Sequence, residues 1–211
     1  MKQDEISIPT KLWAALKGRL WHATDLQALE AILSDGTIRS DLPAKRYKTA
    51  LSRKLCGVSL FDFNGTERDI AKQQGNWLEW LSRPQQGRLA VWLEINRDAL
   101  GDSLIDPAEF RAKTDNEGFR SCKVIPYVEA CHVGDVPATS IIGALVIDSC
   151  VIKRFRRLDG KDRLVERLCA FQDELPPPPP PDPLLTILNE AIDRVRKRAV
   201  AEFKKANKPL K

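Results

Sequence analysis

At 211 residues, 43% hydrophobic and 30% charged, the chain fits one domain with an appendage better than two full domains, and it can fill a core of ordinary size. Its longest apolar stretches, such as residues 141–147, are far too short to span a bilayer, and the opening Met-Lys-Gln-Asp-Glu lacks the apolar run of a signal peptide. The expectation is a cytosolic protein with no membrane partner. The net charge of +5 belongs to one segment: residues 184–211 hold eight Lys or Arg against three Asp or Glu, which leaves residues 1–183 with 26 of each sign. The basic character that would point to nucleic acid therefore sits in the tail and not in the body.

The first element expected is a short apolar strand, Leu20-Trp21-His22-Ala23-Thr24, with a polar residue that packing does not require. A helix follows, with Thr24 as N-cap and Gln27 three residues on. Leu26, Leu29, Ile32 and Leu33 form its inward face, and Gly36 sits where a C-terminal glycine cap belongs. Lys45-Arg46-Tyr47-Lys48 and Arg53-Lys54 then form a basic stretch with one aromatic. It suits a pyrophosphate or a nucleic-acid backbone with Tyr47 stacked on a base, or equally a solvated surface. Val58-Ser59-Leu60 is a second short strand with one polar residue, and residues 68–81 read as a helix with Trp77, Trp80 and Leu81 on one face.

Leu89, Val91, Leu93 and Ile95 alternate with Ala90, Trp92 and Glu94, the period of a strand. Residues 124–133 and 142–147 are further strands, with Pro137 in the connection between them. Leu164, Leu168, Phe171 and Leu175 recur at helical spacing and close the body. Six consecutive prolines, residues 176–181, then form a semi-rigid polyproline spacer. Beyond them Leu185, Leu188, Ile192, Val195 and Ala199 mark one amphipathic helix with Arg194, Arg196, Lys197 and Arg198 largely off its stripe. The divisions are 1–175 for the body, 176–183 for the linker and 184–211 for the basic helix. A lone helix cannot bury that stripe, so its expected partner is a second copy, the body or another protein, with nucleic acid as the second reading. Strands and helices without regular βαβ alternation make the class α+β.

Five cysteines at irregular spacing argue against a disulfide framework and for reduced, mostly core thiols. Cys122, Cys131, His132 and Cys150 contain no C-x-x-C pair, so no metal site is expected.

Glu129, in Val128-Glu129-Ala130-Cys131-His132-Val133-Gly134-Asp135-Val136-Pro137, is the one acid embedded in its strand. In chain order, His22, Ser59 and Glu129 resemble the His, Ser and Glu markers of the ADP-ribosyltransferase superfamily, which cleaves NAD at its nicotinamide bond. Leu20-Trp21-His22-Ala23-Thr24, a helix and Asp35-Gly36 resemble the "H-x-T, helix, D-G" opening of DarT-type DNA-modifying toxins and RNA 2′-phosphotransferases. Glu129 to Pro137 with Ile141-Ile142-Gly143-Ala144-Leu145-Val146-Ile147 is similar to the closing "E-x-x-x-x-G-x-x-P, I-x-x-x-x-I" hairpin of the DarT-type branch.

The resemblance spans residues 20–148 and rests on roughly twenty positions. It departs from the pattern at Tyr127, where the protein-arginine-modifying subclass has a second glutamate, and in lacking a fuller Ser-Thr-Ser around Ser59.

The resemblance implies a split β-sheet core with flanking helices and NAD as co-substrate. Glu129 would bond the 2′-hydroxyl of the nicotinamide ribose and stabilise the ribosyl cation, with Ser59 supporting it. His22 would bond the adenosine ribose, and Thr24, Arg46, Tyr47 and Arg53 complete the expected cofactor contacts. The implied function is a mono-ADP-ribosyltransferase of bacterial or phage type, a toxin or defence effector acting on a DNA, RNA or protein acceptor. The alternatives are RNA 2′-phosphotransfer and a non-catalytic module of the same fold that binds NAD, ADP-ribose or protein.

Overall fold

A computed structural model describes residues 10–41, 50–66, 69–70, 81, 87–115, 117–119, 122 and 124–178. By internal contacts the chain divides into Met1–Leu175 and Pro176–Lys211, and the sheet with its helices belongs to the first unit. The tail helix, nearly all of the helix expected over residues 68–81, and Arg46 and Tyr47 lie outside the described residues.

The elements in chain order are α1 (Thr10–Leu16), β1 (Leu20–Thr24), α2 (Leu26–Asp35), β2 (Thr37–Ile38), α3 (Leu51–Lys54), β3 (Gly57–Asp62), β4 (Leu89–Ile95), β5 (Leu104–Ile105), α4 (Pro107–Ala112), β6 (Glu129–Val133), β7 (Val136–Pro137), β8 (Ile141–Asp148), β9 (Phe155–Asp159) and α5 (Leu164–Asp173). Short 3-10 turns occupy Arg97–Ser103, Lys113–Asp115, Glu117–Phe119 and Ala138–Ser140. The fold is mixed α+β, as the order of elements implied. Seven strands form one sheet in the order β5-β6-β3-β1-β4-β8-β9, and β2 pairs with β7 in a separate two-stranded ladder. Every ladder between named strands is antiparallel.

β4 explains why the sheet is covered on both faces. All seven of its residues are buried, because alternate side chains enter two different cores. Leu89, Val91, Leu93 and Ile95 pack with Leu29 and Ile32 of α2 and Leu164, Leu168 and Phe171 of α5. Ala90 and Trp92 pack with Leu12 and Leu16 of α1, Trp21, Phe61 and Leu145. Each fully buried Leu or Phe in these layers contributes about 1.5–3 kcal/mol relative to exposure. Trp21 is completely buried and still satisfies its indole N–H, which donates to the Leu16 carbonyl at 3.1 Å and ties α1 to β1. A third, smaller core of Leu51, Ile105, Phe110, Cys122 and Cys131 seals the β5–β6 edge under α4.

Three local expectations are corrected. The cap of α2 is Asp25, not Thr24: its carboxylate accepts from Ala28 N at 2.9 Å, and Thr24 stays in β1 opposite Val91. The ladder of β6 begins at Glu129 and not at 124, because residues 126–128 form a turn in which Tyr127 has φ +65° and the Glu129 N–H donates to the Ile125 carbonyl at 2.9 Å. Pro137 ends a paired strand, opposite Thr37, instead of lying in an unpaired connection. Gly36 does cap α2 in the left-handed conformation, φ +71°. Of the five free thiols, Cys122 and Cys131 are buried while Cys56, Cys150 and Cys169 are exposed. Mostly core thiols are therefore not what the fold provides. Among the described residues no helix is long and apolar enough to cross a membrane.

Candidate active site

The sheet is continuous on either side of one short seam. β1 pairs with β4 along all five of its residues, and β3 pairs with β6 from Gly57 to Phe61. Between β1 and β3, however, the ladder covers only Leu20↔Asp62 and Trp21↔Phe61. Beyond Trp21 the two strands part, and His22 spans the gap with Nδ1 3.1 Å from the Ser59 carbonyl oxygen. A carbonyl only accepts, so this contact places the imidazole proton on Nδ1 and leaves the Nε2 lone pair as an acceptor. Burial pushes the His22 pKa below its ordinary value, and the bond to the Ser59 backbone opposes that only in part. The ring is therefore neutral at physiological pH.

Ser59 and Glu129 meet on the far side of the seam. β3 and β6 are in register with Ser59↔Cys131 and Phe61↔Glu129, and residues two apart on a strand share a face. Ser59 Oγ donates to Glu129 Oε1 at 2.9 Å, and the Ile125 N–H donates to Oε2, also at 2.9 Å. Glu129 is only 7% exposed. Desolvation raises its pKa above the ordinary carboxylate value, while the bonds from Ile125 and Ser59 pull the other way. The result is a fixed, dry carboxylate whose two oxygens are aimed by a hydroxyl and a backbone amide.

The structure thus brings His22, Ser59 and Glu129 onto three neighbouring strands, β1, β3 and β6, but not onto one face. Trp21 shares the face of Phe61, so His22 leaves the sheet on the opposite side and reaches only the backbone of Ser59. Thr24 is two residues along on the His22 face, 8% exposed. Arg53 is half-buried in α3, ahead of β3. Sequence reasoning missed the Ile125 amide that holds Glu129 and the Asp25 carboxylate that starts α2. Pro126 was the available signal for the first, since a proline just before Glu129 disfavours a continuous ladder.

Two cavities, about 440 and 510 Å³, open at the end of the sheet where β1 starts and β3 and β4 finish. His22, Ser59 and Glu129 line neither, although Tyr127, two residues before Glu129, lines the larger. Among the described residues no group of three His, Cys, Asp or Glu side chains is placed to hold a metal ion. No protein-family model matches the chain, and no curated protein matches its sequence.

His22 has a pH signature that can be measured. With its folded pKa lowered, the unfolded chain binds the proton more readily, so stability rises with pH between the folded value and the ordinary value near 6.5. Wild type is therefore expected to lose stability as pH falls from about 6.5, and His22→Gln to lose less over the same window. Parallel denaturation midpoints for the two proteins across that range would show that His22 is not held neutral.

Proposed function

We propose that the protein is an NAD-dependent mono-ADP-ribosyltransferase acting on a macromolecule. The observation that supports it is the buried side-chain pair of Ser59 and Glu129 on β3 and β6, with His22 of β1 bonded to the Ser59 backbone from the opposite face, three residues from segments separated by 37 and 70 residues. Ser59 and Glu129 are joined through side chains and His22 through the Ser59 carbonyl. Packing does not ask for a buried glutamate there; an apolar residue would fill β6 without the desolvation cost.

The chemistry follows from the groups present. In the transfer, the bond between the ribose carbon and nicotinamide breaks and its electron pair leaves with nicotinamide. The ribosyl centre becomes cationic, and an acceptor lone pair closes the new bond as the acceptor loses its proton. A carboxylate fixed in a low-dielectric site stabilises that cation by several kcal/mol, because its orientation is already set when the charge develops. Ser59 and the Ile125 amide supply that orientation. Neutral His22, with Nε2 as acceptor, fits a ribose hydroxyl at the remote end of the dinucleotide. A contact there is made in ground and transition states alike, so His22→Ala should raise KM for NAD several-fold with little change in kcat.

The decisive experiment incubates the protein with NAD labelled in the adenylate half, together with cell extract, DNA and RNA, and asks which fraction retains label. Label retained by a macromolecule, with release of nicotinamide, is the expected result. NAD bound but never consumed would make the chain a non-catalytic binding module, and loss of a 2′-phosphate from RNA would make it a phosphotransferase.

A further inference from the structure

The seven-stranded sheet ends in an edge whose backbone is left unfilled. β9 is the last strand in the order β5-β6-β3-β1-β4-β8-β9 and pairs on one side only, with β8. At the two ends of that ladder the Asp148 N–H donates to the Arg154 carbonyl and the Gly160 N–H to the Ile142 carbonyl, both at 2.9 Å, so the even-numbered residues of β9 face β8. Phe155, Arg157 and Asp159 therefore turn their N–H and C=O groups outward. The Asp159 carbonyl accepts from Arg167 at 2.8 Å, and the other outward groups have no hydrogen-bond partner among the described residues.

The side chains along this edge define what it would accept. Phe155 and Ile152 are only partly buried against the Trp92 core and leave apolar surface on one face of the edge. Arg156 is held by Glu174, and Arg157 by Glu94 and Asp159, so neither is a free cation. Arg154 is different: it is 42% exposed, and its nearest carboxylate, Asp148, lies 3.7 Å away and is already gripped through both oxygens by Arg88, at 2.9 and 2.7 Å. The Arg154 guanidinium thus keeps its donors unmet. Lys153 beside it is exposed and has no ion-pair partner among the described residues. At the other end Lys161 and Asp162 offset one another, so the anion-seeking groups are confined to the start of β9.

We infer that the outer edge of β9 is a docking site where an extended segment of a partner protein adds a further strand, with apolar residues against Phe155 and Ile152 and acidic residues toward Lys153 and Arg154. Main-chain bonds to Phe155, Arg157 and Asp159 would hold the segment, and its alternating side chains would select it. A second copy of β9 fits less well, because residues 153–159 bring four cations with one carboxylate, and like charges across a strand pair oppose it. Strands β8, β4 and β1 separate this edge from β3. The inference therefore stands apart from the transferase reading.

The test measures binding of a fluorescein-labelled octapeptide of alternating Glu and Val to the full chain by fluorescence anisotropy. Two versions of the peptide are N-methylated, one at every Glu amide and one at every Val amide; in an added strand only one of these sets faces β9. On the protein side, Asp159→Pro removes an outward N–H and leaves the ladder to β8 intact, since proline is tolerated where an edge N–H faces solvent. It also removes an acid, so charge alone would tighten an acidic peptide. A second variant, Lys153→Glu with Arg154→Gln, removes the cations and keeps the Arg88–Asp148 pair.

The expected result is that one N-methylated peptide binds like the parent while the other loses about tenfold or more, a contrast that holds on wild type even if Asp159→Pro does not fold. Asp159→Pro and the double variant should each weaken the parent peptide about tenfold. NAD turnover should be the same in all three proteins. No binding of the parent peptide, equal binding of both methylated forms, or a Lys-Val peptide bound as tightly overturns the inference. Unchanged or tighter binding by a folded Asp159→Pro protein does the same. A wild-type dimer in sedimentation that Asp159→Pro dissolves would give the edge to a second copy instead.

Discussion

Glu129→Gln is expected to lower NAD turnover at least about a hundredfold while the protein stays folded. The size of the effect comes from charge. Glutamine fills the same volume and still accepts one of the two bonds that the carboxylate takes from Ser59 Oγ and the Ile125 amide, yet it has no negative charge to set against a ribosyl cation. Losing about 3 kcal/mol of transition-state stabilisation corresponds to that hundredfold.

Stability should move differently from activity. The folded pKa of Glu129 is raised by burial, so the folded state binds the proton more readily than the unfolded chain does. Its favourable contribution is present below the ordinary carboxylate value and is lost as pH rises through the folded pKa. Above the folded pKa the charged residue is a cost, and there Glu129→Gln should melt within a few degrees of wild type or above it. Activity has the opposite slope, rising with pH through the raised pKa as the carboxylate ionises. Full turnover in the Gln protein, or an acid limb of the pH–rate profile identical in both, would remove Glu129 from the chemistry.

What the sequence made legible follows the strength of local signals. The period of two in β4 and the helical spacing of Leu164, Leu168 and Phe171 survive because both faces of β4 and one face of α5 are buried, so that packing and pattern demand the same thing. Asp25 is hidden as a cap because Thr24 also fits the first position of a capping box; which one caps depends on where β1 stops pairing, and its partner Val91 lies 67 residues away. The start of β6 is obscured for a related reason. Val124, Ile125 and Val128 are as apolar as a strand requires, but Pro126 and the left-handed Tyr127 fold them into a turn, and it is this turn that delivers the Ile125 amide to Glu129. The seam between β1 and β3 is a property of register, and register is written in pairings that no single segment carries.

Gly57→Ala is expected to destabilise the protein by about 1–3 kcal/mol and to take much of the activity with it. Gly57 begins β3 opposite Val133, and a Cβ at this position would lie 2.5 Å from Cys131 Sγ and 2.6 Å from the His132 carbonyl oxygen. A rotamer change could relieve the first contact were Cys131 not completely buried in its own cluster; the second is backbone and cannot turn aside. β3 and β6 must therefore separate at this end of their ladder. Two residues along, the same ladder holds Ser59 over Glu129 at 2.9 Å, so a displacement of a few tenths of an ångström loosens the carboxylate's orientation as well as the sheet. For a domain of this size each kcal/mol lowers the melting temperature by about 2–4 °C, which makes the change readable in a thermal scan alongside the rate. Gly160→Ala, beyond β9 and away from β3 and β6, is the control, since its φ of +73° makes alanine strained but nothing lies within 4 Å of the added Cβ. It should cost stability without moving β3 against β6, and its turnover per folded molecule should stay near wild type. If Gly57→Ala instead melts with wild type, or if the two glycine variants lose activity in the same proportion to stability, the close approach of β3 and β6 does not position the Ser59–Glu129 pair.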